Sequence, residues 1–335
     1  LISAFVAGCG LAVGVGVIHN GFAVLRIWFD GASLGLAPLL CFIGLAGLRK
    51  RASFTAFACA VIGAAALGVA LYATRVEPFR LEVTRHVVRS DRLPVGIDTS
   101  ITVAILADLQ TDQIGAYEAE VFRAMDEAKP DLILLPGDYL QFLDLRKFDT
   151  VQPALVGLFR SMEHVPRLGV VAVDGDVDEA AVSLADTGAR CLTNETVRFD
   201  DDRLQVIGLG TSASRRDLSA EVVGQIESFD GLTIICGHAP DYMNMVLEGR
   251  FDEPAVLVAG HTHGGQVAIP GFGPPLTLSR VPRWLAAGTL AQRGDTTLLV
   301  SRGIGMERRH APRVRFNCRP QLVVLELVGS KVAQR

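Results

Sequence analysis

Two regimes of hydrophobic patterning divide the chain. From Leu1 to Thr74 the apolar positions run almost unbroken, in three segments: Leu1 to Leu25, Ala32 to Leu48 and Ser53 to Thr74. The charged residues of this region are Arg26, Asp30, Arg49, Lys50 and Arg51 alone. The first and third segments are long enough to cross a hydrocarbon core of about 30 Å, and the second is near the lower limit of roughly 17 residues. Small residues such as Gly44, Gly47, Ala64, Ala65, Ala66 and Gly68 recur, as close helix packing in lipid favours. The pattern predicts about three transmembrane helices over 1–74. A cleaved signal peptide followed by buried core helices is the competing reading, and three successive segments with short polar breaks fit it poorly.

Beyond Thr74 the apolar positions come in short runs, each closed by Gly, Pro or a charged residue, with helical spacing between them. The stretch 75–98 is charged and proline-punctuated and reads as a linker feeding a first strand. Ile101 to Ala107 is then a strand ending at Asp108-Leu109-Gln110, followed by a helix over Tyr117 to Ala128. Leu132 to Leu135 ends at Pro136-Gly137-Asp138, and a helix is expected around Val151 to Ser161. Gly169 to Val173 ends at Asp174-Gly175-Asp176-Val177-Asp178. Val206 to Gly210 is a further strand, Thr233 to Cys236 ends at Gly237-His238, and Pro254 to Ala259 ends at Gly260-His261-Thr262-His263. Continuous apolar strands alternating with helices predict a layered α/β domain.

Composition adds exclusions. Half of the 335 residues are hydrophobic, an excess that the first regime mostly explains. A net charge of -4 without a basic stripe argues against nucleic acid as a partner. Of six cysteines, three lie in the apolar segments; Cys191, Cys236 and Cys318 are far apart with no metal spacing, and their odd number argues against a full disulfide framework. Arg49-Lys50-Arg51 is the densest basic loop between spans, which places it in the cytoplasm and the domain after Thr74 outside; Arg75, Arg80, Arg85 and Arg89 pull the other way.

The chemistry lies at the strand ends. Five of them carry Asp108 with Gln110, Asp138, Asp176, His238, and His261 with His263. Ligands collect outside the carboxyl ends of strands in open α/β sheets, so these side chains should converge. Three acids within Asp174 to Asp178 either repel one another or share a cation. Mixed oxygen and imidazole donors suit Mn, Zn or Fe, and the count suffices for two divalent metal ions sharing Asp138.

The order and spacing of these motifs resemble the calcineurin-like metallophosphoesterase family over Leu81 to Gly329. Within it the chain is similar to the bacterial membrane-associated branch whose last motif reads G-H-T-H-G-G-Q, here Gly260 to Gln266. Lys129-Pro130-Asp131-Leu132 before Gly137-Asp138, and Ser301-Arg302-Gly303-Ile304-Gly305, add to the likeness. The resemblance implies a four-layer α/β/β/α sandwich over 99–330, preceded by N-terminal transmembrane helices in a bacterial inner or plasma membrane. It implies that Asp108, Asp138 and His263 hold one metal and that Asp138, His238 and His261 hold the second. The implied chemistry is hydrolysis of a phosphodiester, pyrophosphate or phosphomonoester by metal-bound hydroxide, with Asp138, His238 and Asp176 as catalytic residues. A phospholipid or lipid-linked substrate follows from location alone, and no protein partner is inferable.

Two departures matter. The first motif of the family is D-x-H, and Gln110 stands where the histidine would, offering a neutral amide oxygen. Gly175-Asp176-Val177-Asp178 takes the place of G-N-H-D. Asp176 adds a negative charge to the second site. Val177 replaces a histidine that in the family contacts the substrate phosphate or protonates the leaving group, help worth about 10²- to 10⁴-fold. An active enzyme should then favour leaving groups that need no proton, with Asp112, Asp174 or Asp178 as substitute acids. The alternative is a degenerate member that binds metal or a phosphorylated ligand with little or no turnover. Arg302, Arg308, Arg309 and Arg313 are candidates for an anionic substrate that no spacing selects among.

Overall fold

The structure, a computed structural model, describes residues 21–49, 54–93, 100–199 and 203–330. The expected span Leu1 to Leu25 falls almost entirely outside the described residues. The chain divides into two compact units, one comprising Leu1–Pro78 with Glu307–Phe316 and the other Phe79–Met306 with Asn317–Arg335.

In the first unit, helix α1 (Gly21–Asp30) runs through a π turn at Gly31–Leu36 into α2 (Ala37–Arg49). The polar break expected between two spans therefore does not interrupt the helix. Arg26 and Asp30 pair at 3.6 Å one turn apart, and the Ser33 hydroxyl donates to the Phe29 carbonyl at 2.6 Å, so the polar groups are satisfied on the helix itself. Helix α3 (Phe54–Leu71) likewise continues through a π turn at Tyr72–Val76. The two continuous helices, Ala23–Arg49 and Phe54–Phe79, have 27 and 26 residues. Each is roughly 40 Å long and apolar enough to cross a membrane. They meet along buried Ala37, Gly44, Ala56 and Gly63, while Ala64, Ala65, Ala66 and Gly68 are exposed, so among the described residues only part of the small-residue pattern lies in this helix contact. The outer surface is apolar, with Leu34, Phe42 and Phe54 between 70% and 85% exposed. The segment 307–316 joins this unit through Arg26 donating to the Arg309 carbonyl at 3.2 Å, the Arg315 N–H donating to the Ala73 carbonyl at 2.9 Å, and an edge contact of Tyr72 with Phe316.

The second unit is built on two six-stranded mixed sheets. The first has the order β1 (Glu82–Ser90), β12 (Gln321–Gly329), β2 (Ile101–Ile105), β3 (Leu132–Leu135), β4 (Val170–Val173), β5 (Arg190–Leu192). The second has β10 (Leu290–Arg293), β11 (Thr296–Val300), β9 (Ala255–Ala259), β8 (Leu232–Gly237), β7 (Leu204–Leu209), β6 (Glu195–Phe199). Strand β1 corrects the expected linker at 75–98: nine residues there pair in parallel with β12. As an edge strand it alternates exposed and half-buried positions, which is why it reads as polar.

Strands β2, β3, β4 and β5 are parallel, as are β7, β8, β9 and β11. Successive residues point to opposite faces. Val103, Ile105, Leu132, Leu134, Val206 and Val256 meet between the sheets. The intervening Ala104, Ile133 and Leu135 pack with Phe122 of α4 (Ala116–Glu127) and Leu155 of α5 (Phe148–Arg160). On the far side Ile207, Ile235 and Leu257 pack with Ile226 of α6 (Ala220–Glu227). Both faces of these strands are buried, and the sequence accordingly shows continuous apolar runs rather than alternation.

Candidate metal centre

The side chains predicted from sequence lie at the carboxyl ends of the parallel strands. Beyond β2 and β3 the backbones stay paired: the N–H groups of Asp108 and Gln110 donate to the carbonyls of Gly137 and Asp138 at 3.2 and 2.9 Å. In the other sheet the Gly260 N–H donates to the His238 carbonyl at 3.0 Å. The two sheets are joined at the site by the His261 N–H, which donates to the Asp108 carboxylate at 2.9 Å. The loop after β11 supports Asp108 from below, with the Gly305 N–H donating to its carbonyl at 2.7 Å.

Close approach fixes two glycines here. A Cβ on Gly260 would meet the Asp108 carboxylate at 2.7 Å, and one on Gly175 would overlap the Asp138 side-chain oxygen and backbone nitrogen. Without that side chain, the N–H groups of Asp176 and Val177 reach Asp138 Oδ1 at 2.9 and 3.2 Å. The backbone is strained as well. Asp108, Gln110, Asp138, His261 and His263 all have positive φ, between 35° and 69°. Each such residue costs on the order of 1–3 kcal/mol and persists only where the surroundings overdetermine it, typically at functional sites.

Two triads of ligand atoms result, Asp176 with His238 and His261, and Asp108 with Asp138 and His238. The buried His238 has Nδ1 at 2.9 Å from the Pro136 carbonyl, so that nitrogen carries the proton and donates. Its Nε2 lies 3.5 Å from Asp138, 3.6 Å from Asp176 and 3.1 Å from His261 Nδ1. His261 in turn has Nε2 at 3.2 Å from the Leu278 carbonyl, leaving Nδ1 to face Asp176 at 3.3 Å. Carbonyls that accept the outer N–H of each imidazole fix the tautomer that ligation needs. Two imidazole lone pairs and two carboxylates then point at one another, a donor set that a divalent cation fits.

Protons compete with a cation for the same atoms. Burial opposes charge on His238, but Asp138, Asp176 and Asp108 outweigh it and raise its pKa to about 10. Burial, reinforced by Asp176 and Asp108 against the opposing pull of His238, raises Asp138 to about 8. Burial and the neighbouring His238 charge lower His261 to about 4. Burial acts to raise Asp176, yet His238, His261 and Arg215 hold it well below the usual carboxylate range.

His263 is buried but belongs to neither triad, and Gln110 is fully buried beside Asp108 in the chain. The substitute acids are corrected. Asp178 accepts from the Tyr139 N–H at 3.1 Å, the Leu140 N–H at 2.9 Å and the Ser183 hydroxyl at 2.6 Å, bracing the Asp138 loop. Asp174 accepts from the Ala180 N–H and the Thr193 hydroxyl, and Asp112 faces Lys147 at 3.7 Å. Arg302 pairs with Glu82 at 2.9 Å, and Arg308, Arg309 and Arg313 fall in the first unit.

Sequence reasoning missed Arg215. It follows β7, a strand recognised in the sequence but given no chemistry, and its guanidinium lies 2.5 Å from Asp176 and 3.4 Å from His261 Nε2. The signal available was the shared pattern of an apolar run closed by a glycine, here Gly210, with a charged residue soon after.

No family model matches the chain. It is 27% identical over 271 residues to the uncharacterized metallophosphoesterase YkuE of Bacillus subtilis (strain 168), covering 76% of this chain and 88% of the relative. It is 26% identical over 268 residues to the phosphodiesterase YaeI of Escherichia coli (strain K12), covering 75% and 90%. Among solved structures, a dimetal phosphatase from Danio rerio aligns at 11% identity and a TM-score of 0.42 over 64% of this chain and 90% of that one. The chain is thus a distant relative of curated metallophosphoesterases.

Proposed function

We propose that this chain is a divalent-metal-dependent phosphoesterase of the calcineurin-like kind, anchored in a membrane by its apolar helices. One observation carries the reading: His238 Nε2 and His261 Nδ1 face each other at 3.1 Å with both outer ring nitrogens at backbone carbonyls. That geometry, with Asp138 and Asp176 alongside, is stabilised by cations. Two distant relatives named as a metallophosphoesterase and a phosphodiesterase support the same chemistry.

Divalent ions bound here would activate water and offset charge on a phosphoester. Asp108, Asp138, Asp176, His238 and His261 hold them in this reading, with His263 joining as the family resemblance implies and Gln110 offering an amide oxygen where the family has a histidine. Strained, braced loops keep the ligands preorganised. Val177 offers no proton, so the substrate is one whose leaving group departs as a stable anion, a diphosphate or an activated diester, rather than an alkyl phosphomonoester. A lipid-borne substrate is consistent with two helices that would hold the domain at a bilayer surface.

Gln110 and Val177 together favour a second reading, in which the site binds metal or a phosphorylated ligand without turnover. The test is elemental analysis of the chain in detergent after loading with Mn, Zn or Fe, beside hydrolysis of bis(4-nitrophenyl) phosphate. About two ions per chain, lost in part on His261→Ala, with hydrolysis abolished by Asp138→Asn, is the expected result. Bound metal without hydrolysis turns the conclusion to the second reading, and no bound metal refutes both.

A further inference from the structure

We infer that a cleft beside His261, lined by Arg215, Arg216 and Arg280, is a second phosphate subsite that receives the departing half of a diphosphate ester. The inference rests on the phosphoesterase reading and narrows its substrate class. The cleft has a volume of about 410 Å³. Arg215 joins it to the metal centre, since this residue lines the cleft and its guanidinium touches Asp176 and His261.

The charged side chains of the cleft are unequally engaged. Four arginines and three acids line it, but the acids are engaged. Arg250 takes both Asp217 and Glu248, at 2.9 and 2.6 Å. Asp241 accepts from the Ser279 hydroxyl at 2.6 Å and the Arg280 N–H at 2.8 Å. Among the described residues the guanidinium groups of Arg216 and Arg280 form no ion pair, and both side chains are exposed. Two such cations beside a third aimed at the reaction centre match an anion with several oxygens, because guanidinium forks bind phosphate in pairs.

The cleft is also held rigidly against the site. Arg215 ends the helical turn Thr211–Ser214, whose first hydroxyl donates to the Gly175 carbonyl at 3.0 Å. The Ser214 hydroxyl accepts from the Ala239 N–H at 3.2 Å. The turn is therefore pinned to the loops carrying Asp176 and His238. Arg280 lies two residues past Leu278, whose carbonyl orients His261.

The reaction that this arrangement serves balances simply. A water oxygen bonds to the phosphorus at the carboxylate and imidazole cluster, and the bridging P–O bond breaks with its electron pair on the departing phosphate oxygen. Two phosphomonoesters result, and the protons of the water remain on them or pass to solvent according to pH. A departing phosphate is stable as an anion and needs no proton at Val177. The missing imidazole and the arginine cleft, two independent features, thus select the same leaving group.

The test compares the parent chain with an Arg216→Ala/Arg280→Ala variant and an Arg216→Lys/Arg280→Lys variant, each in detergent. The metal-loaded readout is the ratio of kcat/KM for a nucleoside diphosphate ester to that for bis(4-nitrophenyl) phosphate. The alanine variant should lower that ratio about tenfold or more, and the lysine variant should restore part of it. A ratio unchanged within twofold overturns the subsite while leaving the phosphoesterase reading intact. The second readout needs no turnover: calorimetric titration of inorganic pyrophosphate into the metal-free chain with chelator present. Saturable binding that weakens at least fivefold in the alanine variant is expected, and equal binding to both chains, or none below about 10 mM, overturns the inference. Failure of the parent to hydrolyse either ester refutes the phosphoesterase reading instead, and the titration then decides the subsite alone.

Discussion

Replacing Asp178 with alanine should loosen the metal centre without touching a ligand. Its half-buried carboxylate accepts the N–H groups of Tyr139 and Leu140, the two residues after Asp138, and the hydroxyl of Ser183. The alanine leaves two backbone donors and a hydroxyl without that acceptor. At about 1 kcal/mol each the loss is about 3 kcal/mol. For a domain of this size each kcal/mol moves Tm by about 2–4 °C, so a fall of about 6–12 °C is expected by differential scanning fluorimetry in detergent. Asp178→Asn keeps one oxygen acceptor and should lose about half as much. Metal affinity, read by competition with a chelator, should fall about 10- to 100-fold in the alanine variant, the usual effect of removing an outer partner. Burial raises the Asp178 pKa above its ordinary value of 3.8. The three hydrogen bonds oppose that shift and remain with the ionised carboxylate, so only the proton-linked part of its stability is present below pH 3.8 and lost as pH rises through the folded value, a dependence that the asparagine variant should lack. A Tm within 2 °C of the parent, or identical behaviour of the two variants, would refute the bracing role.

Metal uptake should depend steeply on pH. The folded pKa values of Asp138 and His238 both lie above their ordinary values, because burial disfavours the Asp138 charge and the neighbouring carboxylates favour the imidazolium, so the cluster without metal retains protons at neutral pH and loses their stabilisation as pH rises. An entering ion must expel them, and apparent affinity measured by chelator competition should climb about 10- to 100-fold per pH unit between pH 6 and 8; a flat profile contradicts the proton count. Gly175→Ala places a Cβ on the Asp138 carboxylate, and metal retained after dialysis should drop about tenfold or more by elemental analysis. Leu155→Ala opens a cavity between α5 and the first sheet and should cost about 2–5 kcal/mol in urea denaturation with metal stoichiometry unchanged. Loss of metal in that variant would mean that the core and the site are not separable.

The sequence by itself determined the local elements and the ligand types. Runs such as Leu132 to Leu135 and Ala255 to Ala259 are apolar at every position because both sheet faces are covered, and a charged residue or histidine after each marks where the strand leaves the core. Strand β1 escaped because an edge strand alternates with solvent, and the first apolar helix was divided at Arg26 and Asp30 because an ion pair one turn apart cannot be seen in composition. Only the tertiary structure decided which acid does what. Asp174, Asp176 and Asp178 are indistinguishable along the chain, yet backbone N–H groups claim Asp174 and Asp178, while Asp176 turns to the imidazoles and Arg215. The same holds for the arginines. Arg215 lies far in sequence from every ligand it touches, and its role depends on a turn pinned to loops from two other strands. Burial and hydrogen-bond partnership are properties of packing between distant segments, which no local pattern encodes.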